Sequence, residues 1–209
     1  MTLYAISDRR LHPQGSLLDQ GSALIRAGVD WFQVREKDLP DRALLHCLRI
    51  LCLESRRFGV SVLINGRPDL ALAGGAAGVH LPSDGIPTLE ARKLLPPPLL
   101  VVRSCHSAGE VRRAAEQGAD AVVFGPVFAT PSKAPYGEPQ GLEGLREACR
   151  GTSIAVIGLG GITRDNARDV LAAGASGIAA IRLFASMKNP SSEVPSRRAA
   201  MEAPVQPVR

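Results

Sequence analysis

Gln33, Arg35 and Lys37 occupy alternating positions at the end of an apolar run, VDWFQVREK. Side chains on a strand alternate faces, so a strand reaching this far would lean these three one way and Val34 and Glu36 the other. An amide, a guanidinium and an ammonium on one side suit an oxyanion, because all three donate hydrogen bonds and two carry positive charge. Polar residues close other apolar runs as well. In chain order they are Ser7 and Asp8; Asn65, Gly66 and Arg67; His80; Ser104 and His106; then Thr130, Ser132 and Lys133 in TPSK. Arg182 ends the series.

IGLGGIT, residues 157–163, adds a second type of anion holder. Glycines at 158, 160 and 161 let the backbone approach a phosphate closely, and a helix over 164–173 with Thr163 as its N-cap would favour negative charge there. A tight turn with no ligand is the plainer reading of the same residues. His80 reads either as a packed structural histidine or as a site residue. His12 and His46 fall outside the strand ends and read as surface. TPSKAPYGEPQG, 130–141, reads as a mobile lid or as a plain surface loop.

These residues need elements that bring them together. Apolar runs at 3–7, 30–34, 60–64, 78–81, 99–104, 120–124, 153–158 and 176–181 read as strands. Helical periods at 16–27, 40–57, 107–117 and 164–173 lie among them. The phrases RAGVD, EQGADAVVF and AAGASGIAA repeat one device, a glycine that stops a helix before the next strand. Eight strands alternating with helices predict a parallel α/β fold, a (β/α)8 TIM barrel, with a doubly wound sheet as the alternative. In either fold the chemistry gathers at the strand ends, and barrels often hold phosphate after strands seven and eight.

The chain has 209 residues, a net charge of +5 and 4% aromatics. So few aromatics argue against stacking platforms for nucleic acid, and a mildly basic balance suits a small phosphorylated substrate better. The four cysteines show no metal-ligand spacing and read as reduced core residues. No apolar run reaches the roughly eighteen residues of a membrane span and no leader opens the chain, so the expected compartment is the cytoplasm. A homo-oligomer is compatible with all of this. Residues 1–188 read as the barrel. The remainder, 189–209, has four prolines and no apolar stripe, and is expected to be disordered or to hold one helical turn near 196–202.

Five motifs in register resemble the thiamine-phosphate synthase and TenI family over residues 3–185. QVREK resembles its Q-x-R-x-K strand end, and INGRPDLALAGGAAGVHL its N-D/G-R-x-D-x-A segment running into G-V-H-L. SCHS, FGPVFATPSK and VIGLGGIT resemble the three that follow. The resemblance implies the eight-stranded barrel and a reaction joining hydroxymethylpyrimidine pyrophosphate to thiazole phosphate with loss of pyrophosphate. It implies that Gln33, Arg35, Lys37, Asn65, Thr130, Ser132 and Lys133 surround the pyrophosphate, and that Gly160 and Gly161 meet the thiazole phosphate. Arg67, Ser104 and Arg182 join the substrate-binding set, and Lys133 and Lys37 carry the catalytic charge.

The pattern departs from the synthase at the carboxylates that hold magnesium. Gly66 and Gly85 stand at those positions, which leaves Asp84 as the nearest candidate ligand for Mg2+. NGR and HLPS are more like TenI, whose thiazole tautomerisation needs no metal but does need a proton carrier. Pro126 stands where that motif carries histidine, so His106 or His80 would have to serve. Every pyrophosphate handle is retained, which favours the synthase over the tautomerase. A non-catalytic binder of thiamine intermediates is the third reading.

Overall fold

AVVF and GIAA are buried along their whole length, which requires cover on both faces. A closed parallel sheet with helices outside and side chains filling its lumen provides that cover. The computed structural model describes residues 1–12, 15–130 and 138–203. Ser132 and Lys133, and most of the expected lid, lie outside them.

Eight strands run in parallel: Thr2–Ile6 (β1), Trp31–Val34 (β2), Ser61–Asn65 (β3), Gly78–Leu81 (β4), Leu100–Cys105 (β5), Ala121–Phe124 (β6), Ala155–Leu159 (β7) and Gly177–Ala180 (β8). Each pairs with the next in chain order, and β1 closes on β8 through Tyr4 opposite Ala179. That closure decides for the TIM barrel over the doubly wound sheet.

The helices are Leu17–Arg26 (α1), Asp41–Ser55 (α2), Pro68–Gly74 (α3), Thr88–Leu94 (α4), Ala108–Glu116 (α5), Gly141–Arg150 (α6), Ala167–Ala172 (α7), Arg182–Ala185 (α8) and Pro190–Glu202 (α9). α2 shows why they form. Leu44, Leu48, Leu51 and Cys52 repeat at helical spacing and are all buried, a stripe turned to the barrel. α1 begins where Ser16 Oγ accepts the Asp19 N–H at 3.2 Å. Outward strand residues such as Phe32, Ile64, Val101 and Ile178 pack under the helices. Tyr4, Leu63, Val102, Val123, Ile157 and Ala179 fill the lumen. All four cysteines are free, Cys52 and Cys105 buried and the other two half-buried.

Two expectations need correction. Residues 190–202 are not a disordered tail: α9 spans thirteen residues and buries Val194 and Met201. Its Arg198 bonds the carbonyls of Met1 and Gly28 and the carboxylate of Asp30, which ties the C-terminal helix to the start of the barrel. The low apolar content concealed it, since two buried side chains and one arginine suffice to dock it. The seventh helix begins at Ala167 and not at 164, and Thr163 is not its cap.

Candidate functional site

β2 to β5 each place a polar residue at the top of the lumen: Gln33, Asn65, His80 and Ser104. Each follows a lumen-lining residue two places earlier (Trp31, Leu63, Gly78, Val102), and a period of two returns the side chain to the same face. Asn65 lies opposite His80 in the ladder. Gln33 Nε2 lies 3.5 Å from Asn65 Oδ1. Gln33 is 1% exposed, yet its Oε1 has no hydrogen-bond partner.

His80 is buried and held at both ring nitrogens, with Tyr4 Oη 3.2 Å from Nδ1 and Ser104 Oγ 2.9 Å from Nε2. Burial pushes the Tyr4 hydroxyl pKa well above its ordinary value. His106 is also committed. Its Nδ1–H donates to the Gly125 carbonyl, which fixes the tautomer and leaves Nε2 to accept from Ser83 Oγ at 3.1 Å.

Beyond Val34 the opening alternation is no longer a strand. The Arg35 N–H donates to Ser7 Oγ at 2.8 Å, which turns the chain at the barrel mouth. Glu36 is buried and accepts from the backbone N–H and guanidinium of Arg9. Arg9 and Arg10 both also bind Asp38, and these bonds hold the Asp38 carboxyl far below the usual range. Lys37 is exposed. Arg35 and Lys37 make no ion pair among the described residues, so their charge is available to a ligand. Arg67 is different: its guanidinium is shared between Asp41 and Asp69 at 2.6–3.0 Å. Both carboxyls are lowered in pKa by it.

Across the mouth, the ends of β7 and β8 open on a cleft of about 390 Å³. Gly160, Gly161, Thr130 and Arg182 line it together, with Asp8 on the β1 side. Gly161 is required by its surroundings. Its φ is +62°, and a Cβ there would meet Ala129 O and Phe128 Cβ at 2.7 Å. Its N–H donates to no protein group among the described residues. The loop is set by Asn166, whose side chain accepts the Thr163 N–H at 2.8 Å and donates to Gly161 O at 3.0 Å. Asn166 was missed in the sequence because a capping hydroxyl at 163 seemed the better signal. With α7 starting three residues later, the cleft's attraction for an anion rests on backbone N–H groups and Arg182 and not on a helix end.

The magnesium expectation meets the following geometry. Gly66 has φ +67°, a left-handed turn suited to glycine. At Gly85 a Cβ would press on Pro82 at 3.0 Å. Asp84 is exposed, and its loop is pinned where Arg103 donates to the carbonyls of Ser83 and Ile86. Among the described residues no three His, Cys, Asp or Glu side chains gather. These residues do not fit a carboxylate cage for a hard divalent cation.

The chain matches the family described as thiamine monophosphate synthase over residues 3–184. It is 46% identical to a putative thiamine-phosphate synthase of Geobacter sulfurreducens over 86% of this chain and 84% of that one. It is 38% identical to the thiamine-phosphate synthase of Albidiferax ferrireducens, covering 91% and 87%. The solved thiamine phosphate pyrophosphorylase of Pyrococcus furiosus superposes with a TM-score of 0.87 at 32% identity, covering 96% of this chain and 95% of that one.

Proposed function

Because the chain belongs to the thiamine monophosphate synthase family, we propose that it is a transferase joining hydroxymethylpyrimidine pyrophosphate to thiazole phosphate. The bond between the pyrimidine methylene and the pyrophosphate oxygen breaks, the thiazole nitrogen bonds to that carbon, and pyrophosphate leaves.

One observation carries this reading: the barrel mouth has two separate places for an anion. Gln33 and Asn65, with Arg35 and Lys37 beyond them, stand on β2 and β3. Gly161 and Arg182 follow the ends of β7 and β8. Two phosphorylated substrates need two such places; a substrate with one phosphate needs one. In this reading Arg35, Lys37 and Lys133 offset charge building on the departing pyrophosphate, and the β7–β8 cleft orients the thiazole nitrogen toward the pyrimidine carbon. Thr130 lines the β7–β8 cleft. No step is assigned to a protein-bound metal.

The thiazole tautomerase is the second reading, favoured by Gly66 and Gly85 where the synthase carries carboxylates. Against it, both histidines it would use have their ring nitrogens committed to protein partners. Two phosphorylated substrates and four free cysteines also suit the reducing cytoplasm.

Incubation with both substrates tests the reading directly, by formation of thiamine phosphate with one pyrophosphate released per turnover. Isomerisation of the thiazole carboxylate phosphate with no coupling product would replace it with the tautomerase. Saturable binding without either product would make the chain a binder.

A further inference from the structure

Gln20, on α1, is 2% exposed and only half satisfied. Its Oε1 accepts the Asp8 N–H at 3.2 Å, while its Nε2 has no hydrogen-bond partner. His12 is half-buried, and its Nδ1 is likewise without a partner. Buried polar atoms in native proteins are nearly always paired, and each exception calls for a reason.

Both residues line one cavity of about 340 Å³, between α1 and the junction of α8 with α9. Leu24, Phe184 and Met187 give it an apolar wall, and the exposed Lys188 lies on its rim. The size is at the lower end of small-molecule sites. Asp19, exposed, also lines the cavity, and one buried amide with one lysine suits a single carboxylate.

We propose that this cavity is a second ligand site, for a single-ring aromatic carboxylate, and that it communicates with the β7–β8 cleft. The ring lies against Leu24, Phe184 and Met187, and the carboxylate accepts from Gln20 Nε2 and Lys188. Two links join the sites. Gln20 holds Asp8, which lines the cleft. α8 and the residues after it separate the two spaces, with Arg182 and Leu183 facing the cleft and Phe184 and Met187 the second cavity. A ligand that moves either element changes how the cleft holds an anion, and by linkage the effect is reciprocal.

The test uses benzoate and the full-length protein and needs no turnover, so it stands apart from the synthase assay. Saturation-transfer NMR should show saturable binding. Ala23→Leu, which fills the cavity from α1, should weaken it at least about tenfold. Lys188→Ala, an exposed change that leaves folding alone, should weaken it in the same direction. Saturating benzoate should shift the affinity for inorganic phosphate, and phosphate should shift benzoate by the same factor. Absence of saturation, as from a cavity holding only water, overturns the site. Binding unchanged in both variants overturns it too, and phosphate affinity indifferent to benzoate overturns the communication.

Discussion

Gln33 Nε2 and Asn65 Oδ1 are 3.5 Å apart at the mouth of the barrel, and Gln33 Oε1 has no partner. The two amides can be paired in either sense, since exchanging O and N at both preserves the contact. In one sense the Asn65 NH2 is left to face a ligand; in the other, the Gln33 NH2 is. Either way the pair reserves a donor for an anion and carries an unsatisfied buried group when empty.

Function and stability should therefore separate at Gln33. Gln33→Met keeps the volume and removes a group whose unsatisfied burial costs about 1–3 kcal/mol. The melting temperature is expected to rise by a few degrees while kcat/KM for coupling falls at least about tenfold, or about 1.4 kcal/mol. A less stable variant with unchanged kcat/KM would contradict the assignment.

α9 sets a second expectation. Val194 and Met201 are 1% and 8% exposed, and burying such side chains contributes about 1.5–3 kcal/mol each. Truncation after Lys188 also removes the Arg198 bonds to Met1, Gly28 and Asp30. At about 2–4 °C per kcal/mol for a chain of this size, the melting temperature should fall by roughly 10 °C. Thermal denaturation of the truncated chain measures this, and a change within two or three degrees would mean that α9 docks without stabilising.

The barrel was legible because its strands are short apolar runs, several closed by a polar residue, and because α1, α2 and α5 carry a clear helical period. Gln33, Asn65, His80 and Ser104 were legible for the same reason, since a period of two fixes their face. Long-range pairing was not legible. Asp69 stands two residues from Arg67, but Asp41, which joins it in neutralising that guanidinium, is twenty-six residues away. His106 looked like a proton carrier until the carbonyl of Gly125, nineteen residues on, took its Nδ1. α9 escaped because PSSEVPSRRAAME has too little apolar periodicity to show which face docks.

Asp84 tests the metal question. The turn that carries it is fixed from two sides, by His106 on Ser83 and by Arg103 on the carbonyls of Ser83 and Ile86. A one-residue shift that would bring Asp84 to the position of Gly85 breaks those bonds. Asp84→Ala is thus expected to leave the magnesium concentration for half-maximal coupling unchanged within about twofold, well under the decade that about 1.36 kcal/mol represents. A tenfold rise in that concentration would show that Asp84 is a ligand after all.

Lys37 and Lys133 distinguish the two chemistries. Lys37 is exposed in the turn that follows β2, and the family resemblance assigns Lys37 and Lys133 to the same pyrophosphate. A charge-assisted contact is worth about 1.5–3 kcal/mol, and more where charge grows in the transition state. Lys37→Ala and Lys133→Ala should each lower coupling turnover at least about tenfold, at about 1.36 kcal/mol per decade. A thiazole tautomerase binds one phosphate, which belongs in the Gly161–Arg182 cleft, so the same substitutions would leave isomerisation nearly unchanged. His80→Asn and His106→Asn would instead abolish isomerisation, by removing the imidazoles nearest the mouth. Both activities measured on the four variants decide the matter: loss of coupling in the lysine variants supports the transferase. A wild-type chain that only isomerises, and fails to do so only in a histidine variant, rejects it.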